Sequence, residues 1–393
     1  MVRVDSTDII PGLEEAFFKI VQFASDTLQN KLNNRRVAPA RRLWYRLADR
    51  SLMHLWAPLF NGFTLTRRTS WHIYWGGWPG SGFSAFIEVN APRYRAGLPL
   101  LLDPPGGGAS WTVQTLAGGG NPYRVAYGND MFVAVAQTGA TRLWTSPDAI
   151  TWTPQTAPIS GNINDVCYGE GVFCIVGSTN TNQVATSLDG VNWTVSSLPQ
   201  ATGGWRIAHG GGIFVIITQN TLWTVFTSSN GNSWTWQTTP GSPVLQDIVY
   251  GNGLFVCVGN GYSARSLISP DGLYWTEQGT GTTNFWNGIT YGNGLFVAVA
   301  NFGTNRLMYS SNGGSWTLAS MPSALAWSDI DYDGGAFIAI ANPSSTFFAR
   351  STNGTSFSHV AIPGSGNWNG LTHGQGKFVA VAVGGSDRIM TSP

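Results

Sequence analysis

The side chains best suited to chemistry recur at fixed intervals. Trp286, Trp327 and Trp368 stand 41 residues apart, and Trp205 lies one position out of that register. Arg142, Arg265, Arg306 and Arg388 recur on the same period. Indole faces beside Arg, Asn and Ser suit sugar rings, whose C–H faces stack on the aromatic while hydroxyls take polar partners. The same tryptophans would serve equally to pack one repeat on the next, and the arginines to pair between repeats. A third series, Arg124, Asp165, Arg206 and Asp247, alternates in charge at one repeat position and is expected to form ion pairs around the mouth of a channel between the repeats. Asp165, Asp247, Asp329 and Asp331 are the carboxylates that could be paired for glycoside cleavage. Little else supports catalysis. The histidines do not cluster, and His209 and His373 occupy the place that Tyr127, Tyr168, Tyr250, Tyr291 and Tyr332 hold elsewhere. No nucleophile–base pair and no metal-ligand spacing stands out. The expectation is a non-enzymatic chain with no cofactor and no metal.

What positions these residues is one phrase of sequence, written seven times between Gly107 and Pro393. Its clearest statements are Tyr-Gly-Asn-Gly-Leu-Phe-Val-Ala-Val-Ala (Tyr291–Ala300) and Ser-Pro-Asp-Gly-Leu-Tyr-Trp-Thr (Ser269–Thr276). A phenylalanine returns every 41 residues, at Phe132, Phe173, Phe214, Phe255, Phe296, Phe337 and Phe378. So does a tryptophan, from Trp111 through Trp152, Trp193, Trp234 and Trp275 to Trp316, with Phe357 in the seventh place. The serine of the second phrase never varies, from Ser146 to Ser392. A strict period near 40 marks a repeat architecture. The chain stops at Ser392-Pro393, partway through a phrase whose missing half, Gly107-Gly-Ala-Ser-Trp-Thr112, stands at the front. A closed ring needs that completion, because one sheet built from both ends of the repeat region removes its free edges. The reading is mainly β: a seven-bladed β-propeller over residues 107–393, preceded by a small α+β module at 1–102 and a linker at 103–106.

Each unit supplies four short strands, in the first pass near 124–127, 131–136, 142–146 and 151–155. The second is an apolar run, as a strand covered on both faces requires. The Gly-x-Gly and Ser-x-Asp/Asn-Gly turns fall at one end of every sheet and barely change. The other end carries links that differ freely, such as Gln137–Thr141, Thr280–Trp286 and Gly364–Trp368. Loops on a rigid frame carry function, so any ligand is expected on that variable face.

Basic and acidic residues nearly balance, 21 against 20, which argues against a nucleic-acid partner. Charge is scarce from residue 107 onward, so the surface there must be built of Ser, Thr, Asn, Gln and Gly. Cys167, Cys174 and Cys257 fall in apolar runs and read as buried free thiols. Before the repeats, Leu13, Phe17, Ile20, Val21, Ala24, Leu28 and Leu32 form a helical stripe, for its own core or for self-association. A second helix from Pro39 to Pro58 carries Arg42, Arg46 and Arg50 on one side, as a solvated face or an attachment surface. Residues 63–102 turn β-like, with a loop expected from Gly76 to Gly82. No signal peptide and no membrane-spanning run is read, so the chain is expected to be made in the cytoplasm without membrane insertion.

The Ser-x-Asp-Gly-x-x-Trp-Thr phrase resembles the Asp-box or BNR-like repeat of sialidase-type propellers, one residue shorter. Joined to Tyr-Gly-Asn-Gly-x-Phe-Val-Ala-Val, it resembles propeller domains of tailed-bacteriophage tail fibre and receptor-binding proteins. The arginine triad and Tyr/Glu nucleophile of sialidases do not map onto this chain. The resemblance implies a phage virion structural protein, displayed on the tail or baseplate and homo-oligomeric. Its residues 1–106 would attach to other virion proteins, and the variable face would bind a host-surface glycan or protein. A glycan-degrading propeller and a decoration protein without a receptor are the alternatives.

Overall fold

A computed structural model describes residues 71–78 and 81–89, and residues 108–393 except 179–181, 201, 220–223, 242–243, 260–264, 334, 344, 385–387 and 393. The chain divides into two compact units, Met1–Leu102 and Asp103–Pro393. In the first unit, Trp71–Trp78 and Ser81–Val89 form an antiparallel hairpin, with Trp71 opposite Val89 and Gly76 opposite Ser84. Pairing thus runs through glycines assigned above to a loop, since backbone pairing needs no side chain. The two expected helices, with Arg42, Arg46 and Arg50, lie outside the described residues.

The second unit is a ring of seven four-stranded antiparallel sheets, a seven-bladed β-propeller. Blade 1 is built from Arg124–Gly128, Met131–Val135, Leu143–Ser146 and Thr153–Gln155, within two residues of the expected limits. The first strand of every blade touches the first strands on either side, and that of blade 7 touches that of blade 1, so the circle is complete. The apolar second strands supply the core, with all seven repeat phenylalanines fully buried.

Blade 7 takes Trp368–Gly374, Lys377–Ala382 and Ile389–Ser392 from the end of the repeats and Thr112–Gln114 from their start. Thr112 faces Thr391 and Gln114 faces Ile389. The turn that belongs between those strands is restored across the gap. In blade 2, Gly190 donates its N–H to Ser187 Oγ at 2.8 Å, and Trp193 Nε1 donates to the Gly190 carbonyl at 3.0 Å. In blade 7, Gly108 N–H reaches Ser392 Oγ at 2.6 Å and Trp111 Nε1 the Gly108 carbonyl at 3.1 Å. Gly108 has φ +87°, and a Cβ there would lie 2.1 Å from the Ile338 side chain, so no other residue fits.

The constant end of each blade is held by its own side chains. Asp148 Oδ1 accepts from the Ser146 hydroxyl at 3.0 Å and from the N–H groups of Ile150 and Thr151 at 2.8 Å, closing the turn without help from outside. Backbone donors hold its carboxyl below the usual carboxylate range, the Thr151 N–H most strongly. The Tyr-Gly pair explains how blades meet. The Tyr168 ring of blade 2 lies where a Cβ on Gly128 of blade 1 would stand, and the His209 ring of blade 3 sits on Gly169 in the same way. Asp333 holds the glycine's place in blade 6, and the ring opposite it in sequence register is His373, whose Nδ1 pairs with the Asp331 carboxylate of blade 6 at 2.9 Å. Both histidines are therefore parts of the scaffold. The three cysteines are free thiols; Cys174 and Cys257 are fully buried, and half-buried Cys167 stands opposite Cys174 in strand register.

Candidate functional site

The beginnings of the seven first strands converge on the variable face, at the mouth of the ring. Two successive repeat positions supply the side chains there. One reads Tyr123, Asn164, Trp205, Gln246, Asn287, Ser328 and Asn369; the next reads Arg124, Asp165, Arg206, Asp247, Gly288, Asp329 and Gly370.

The first of these positions stitches blade to blade. Asn164 Nδ2 donates to the Gly204 carbonyl at 2.8 Å, Trp205 Nε1 to Gln246 at 3.0 Å, and Asn287 Nδ2 to Ser328 at 3.0 Å. Amides at the end of the second strand of the preceding blade brace the same residues. Gln137 donates to Asn164 Oδ1 at 3.0 Å, Gln219 to Gln246 Oε1 at 2.9 Å and Asn342 to Asn369 Oδ1 at 2.7 Å. The position therefore forms a rim of amides and aromatics with fixed orientations, the kind of preorganisation a binding surface needs.

The second position carries the charges. Arg124 crosses the glycine of blade 7 to pair with Asp329 of blade 6 at 2.5 Å, both side chains being about nine-tenths buried. Each aspartate also reaches forward one blade to accept a backbone N–H: Asp165 from Ile207 and Asp247 from Ile289 at 2.9 Å, Asp329 from Leu371 at 3.0 Å. Those bonds use a donor on the inner edge of the sheet, which its own ladder leaves open. The expected alternating ion pairs are thus corrected. Arg124 finds Asp329 rather than Asp165, and among the described residues no carboxylate lies within ion-pair distance of Arg206. Arg206 instead lies on the Trp205 ring, 4.3 Å from its centroid, and faces the Tyr123 ring at 5.3 Å. It donates to the Tyr123 hydroxyl at 3.1 Å and to the Trp205 carbonyl at 3.0 Å, as a desolvated guanidinium can on aromatic faces.

The electrostatics follow from burial and neighbours. Burial raises the Asp165 carboxyl despite Arg206 and Arg124. Burial, then the negative charge of Asp329, pushes Asp247 up to about 7. Burial opposes ionisation of Tyr123, but Arg206 and Arg124 outweigh it and lower the phenol. The ring thus holds two permanent cations and three carboxyl groups, one of which keeps a proton near neutrality. Among the described residues no three His, Cys, Asp or Glu side chains converge closely enough to hold a metal ion.

The other candidate residues take different roles. Trp286, Trp327 and Trp368 are fully buried, with 1, 0 and 0 % of their surface exposed. They fill the space between blades and offer no face to a ligand, which corrects the sugar-platform expectation for all three. Trp205, one register away, is half-buried at the mouth. Arg142, Arg306 and Arg388 hold the links that follow their blades: Arg142 donates to the Ile159 carbonyl at 3.0 Å, Arg306 to Ala324 at 2.6 Å and Arg388 to Gly120 at 2.5 Å. Arg265 pairs with Glu277 in the fourth strand of its own blade. These arginines shape the variable face without meeting at one point. Tyr123, Gln246 and Asn287 escaped sequence reasoning because they differ in type, though reading one register position around the ring collects them.

No protein-family model and no curated protein sequence matches the chain. Solved structures do resemble it. Virginiamycin B lyase from Staphylococcus aureus aligns at TM-score 0.64 and 13% identity, over 72% of this chain and 98% of that one. YCF48 bound to D1 peptide aligns at TM-score 0.57 and 15% identity, over 72% and 94%. The WD40 β-propeller domain of Doa1 follows at TM-score 0.54 and 12% identity, over 72% and 97%. Likeness at such identities establishes the architecture alone. The protein is a seven-bladed β-propeller whose mouth, on the loop-bearing face, is ringed by braced polar and aromatic side chains.

Proposed function

We propose that the protein is a non-catalytic binding protein of a bacteriophage particle. Residues 1–106 attach it, as a homo-oligomer, to other virion proteins, and the variable face of the propeller binds a glycan or protein on the host surface. The observation that carries this reading is the division of labour between the two ends of the ring. At one end the turns bond to themselves, as Asp148 does. At the other, a polar rim is held by bonds that leave part of its donors and acceptors free. The phage setting rests on the resemblance of the repeat phrases to tail fibre propellers.

The test is adherence of the purified full chain to cells of candidate hosts, with and without prior removal of surface polysaccharide. Saturable adherence is expected, and a chain that adheres to none of the hosts its phage infects counts against the reading. One observation favours a second reading, glycan cleavage. Asp247 keeps a proton up to about pH 7 and could serve as an acid. Release of reducing sugar from host polysaccharide, lost in Asp247→Asn, would establish it.

A further inference from the structure

We propose that the sector of the mouth on blades 3 to 5, formed by Trp205, Arg206, Gln246, Asp247 and Asn287, is a subsite for an uncharged polyhydroxylated ligand, a neutral sugar unit. The inference rests on the reading that the variable face binds a host-surface glycan, and it names where and which class.

Two hydrogen bonds make the sector one surface. Trp205 Nε1 joins blade 3 to the Gln246 carbonyl of blade 4 at 3.0 Å, and Asp247 joins blade 4 to the Ile289 N–H of blade 5 at 2.9 Å. Its groups are only partly used. Gln246 spends its side-chain oxygen Oε1 on Gln219, and Asn287 its amide nitrogen on the Ser328 carbonyl. The amide nitrogen of Gln246, the carbonyl oxygen of Asn287 and the second carboxylate oxygen of Asp247 are neither paired nor sealed from solvent.

The open groups select the class. The Gln246 amide nitrogen donates, the Asn287 side-chain oxygen accepts, and Asp247, lifted by burial and by Asp329 to about 7, offers a carboxyl oxygen that is uncharged below that pH. A ligand anion finds no open cation, because the end nitrogens of Arg206 are already bonded to Asn164, Trp205 and Tyr123. A hydroxyl both donates and accepts, and a vicinal pair answers the two kinds of open group without introducing charge.

The experiment places the full chain on an array of immobilised oligosaccharides: neutral hexose chains, uronic-acid chains and free-amino chains. Retention by neutral chains is expected, weakened at least tenfold by Asp247→Asn and by Asn287→Ala, with melting temperatures no lower than wild type for the first. The first variant keeps an oxygen for the Ile289 N–H and so alters only the open end of the group. Retention by charged chains alone, variants that bind as wild type does, or no retention by any neutral chain overturns the subsite. Adherence to host cells is measured beside it. Adherence without array binding refutes this subsite and leaves the broader reading standing, whereas a chain that does not adhere refutes that reading itself.

Discussion

Replacing Trp111 by alanine tests whether the ring is closed by residues far apart in the chain. Trp111 is 7% exposed, and its Nε1 donates to the Gly108 carbonyl at 3.1 Å. Its ring meets Phe348 of blade 6 edge-on at 4.7 Å. Trp275 is its counterpart inside the repeat array, 8% exposed with Nε1 2.9 Å from the Gly272 carbonyl. Removing a buried tryptophan costs about 3–5 kcal/mol. An unfolding entropy of about 2.1 cal/mol/K per residue gives roughly 0.6 kcal/mol/K for a body of this size, so the Tm falls by about 5–8 °C. Calorimetry of the full chain should therefore show the propeller transition lowered by a similar amount in Trp111→Ala and Trp275→Ala. In an open array, residues 108–114 would be a dispensable leading strand. A Trp111→Ala protein that melts with the wild type, while Trp275→Ala does not, would refute closure and with it the continuous mouth.

Three further outcomes follow from the same geometry. Asp247 binds its proton more tightly folded than unfolded, so its contribution is most favourable below the usual carboxylate range, declines as pH rises toward about 7, and is flat above. Asp247→Asn should therefore gain roughly 1–3 kcal/mol at pH 8 and little at pH 4, after allowance for its incomplete burial, as read by denaturant titration at the two pH values. Gly370→Ala would set a Cβ 2.7 Å from the Tyr123 carbonyl oxygen and 2.9 Å from Arg124 Cα. Neither atom can swing aside, so a loss of about 1–3 kcal/mol is expected by chemical denaturation. Trp368→Ala should cost about 3–5 kcal/mol through an interior cavity, yet at temperatures where it stays folded its ligand binding should equal wild type, by titration of the folded protein.

Much of the fold was legible in the sequence because a ring of blades writes its geometry as a period. Phe132 and its six counterparts had to share one environment, and all are buried. The split phrase at Gly108 and Ser392 announced that the two ends of the repeats meet, and their hydrogen bond does so across nearly the whole propeller sequence. The variable and constant ends could likewise be told apart by comparing the units with one another.

The site was less legible. Trp327 and Trp205 look alike as residues, yet one is sealed between blades and the other borders the mouth. A shift of one residue along a strand turns a side chain to the opposite face, and no property of the residue itself records that choice. Arg124 likewise had several aspartates to choose among and takes Asp329, because the glycine of blade 7 leaves the path between them open. Local chemistry and spacing determine which strands form and how many blades there are. Which side chains meet at the axis is decided only when the circle closes and brings residues from separate blades within reach of one another.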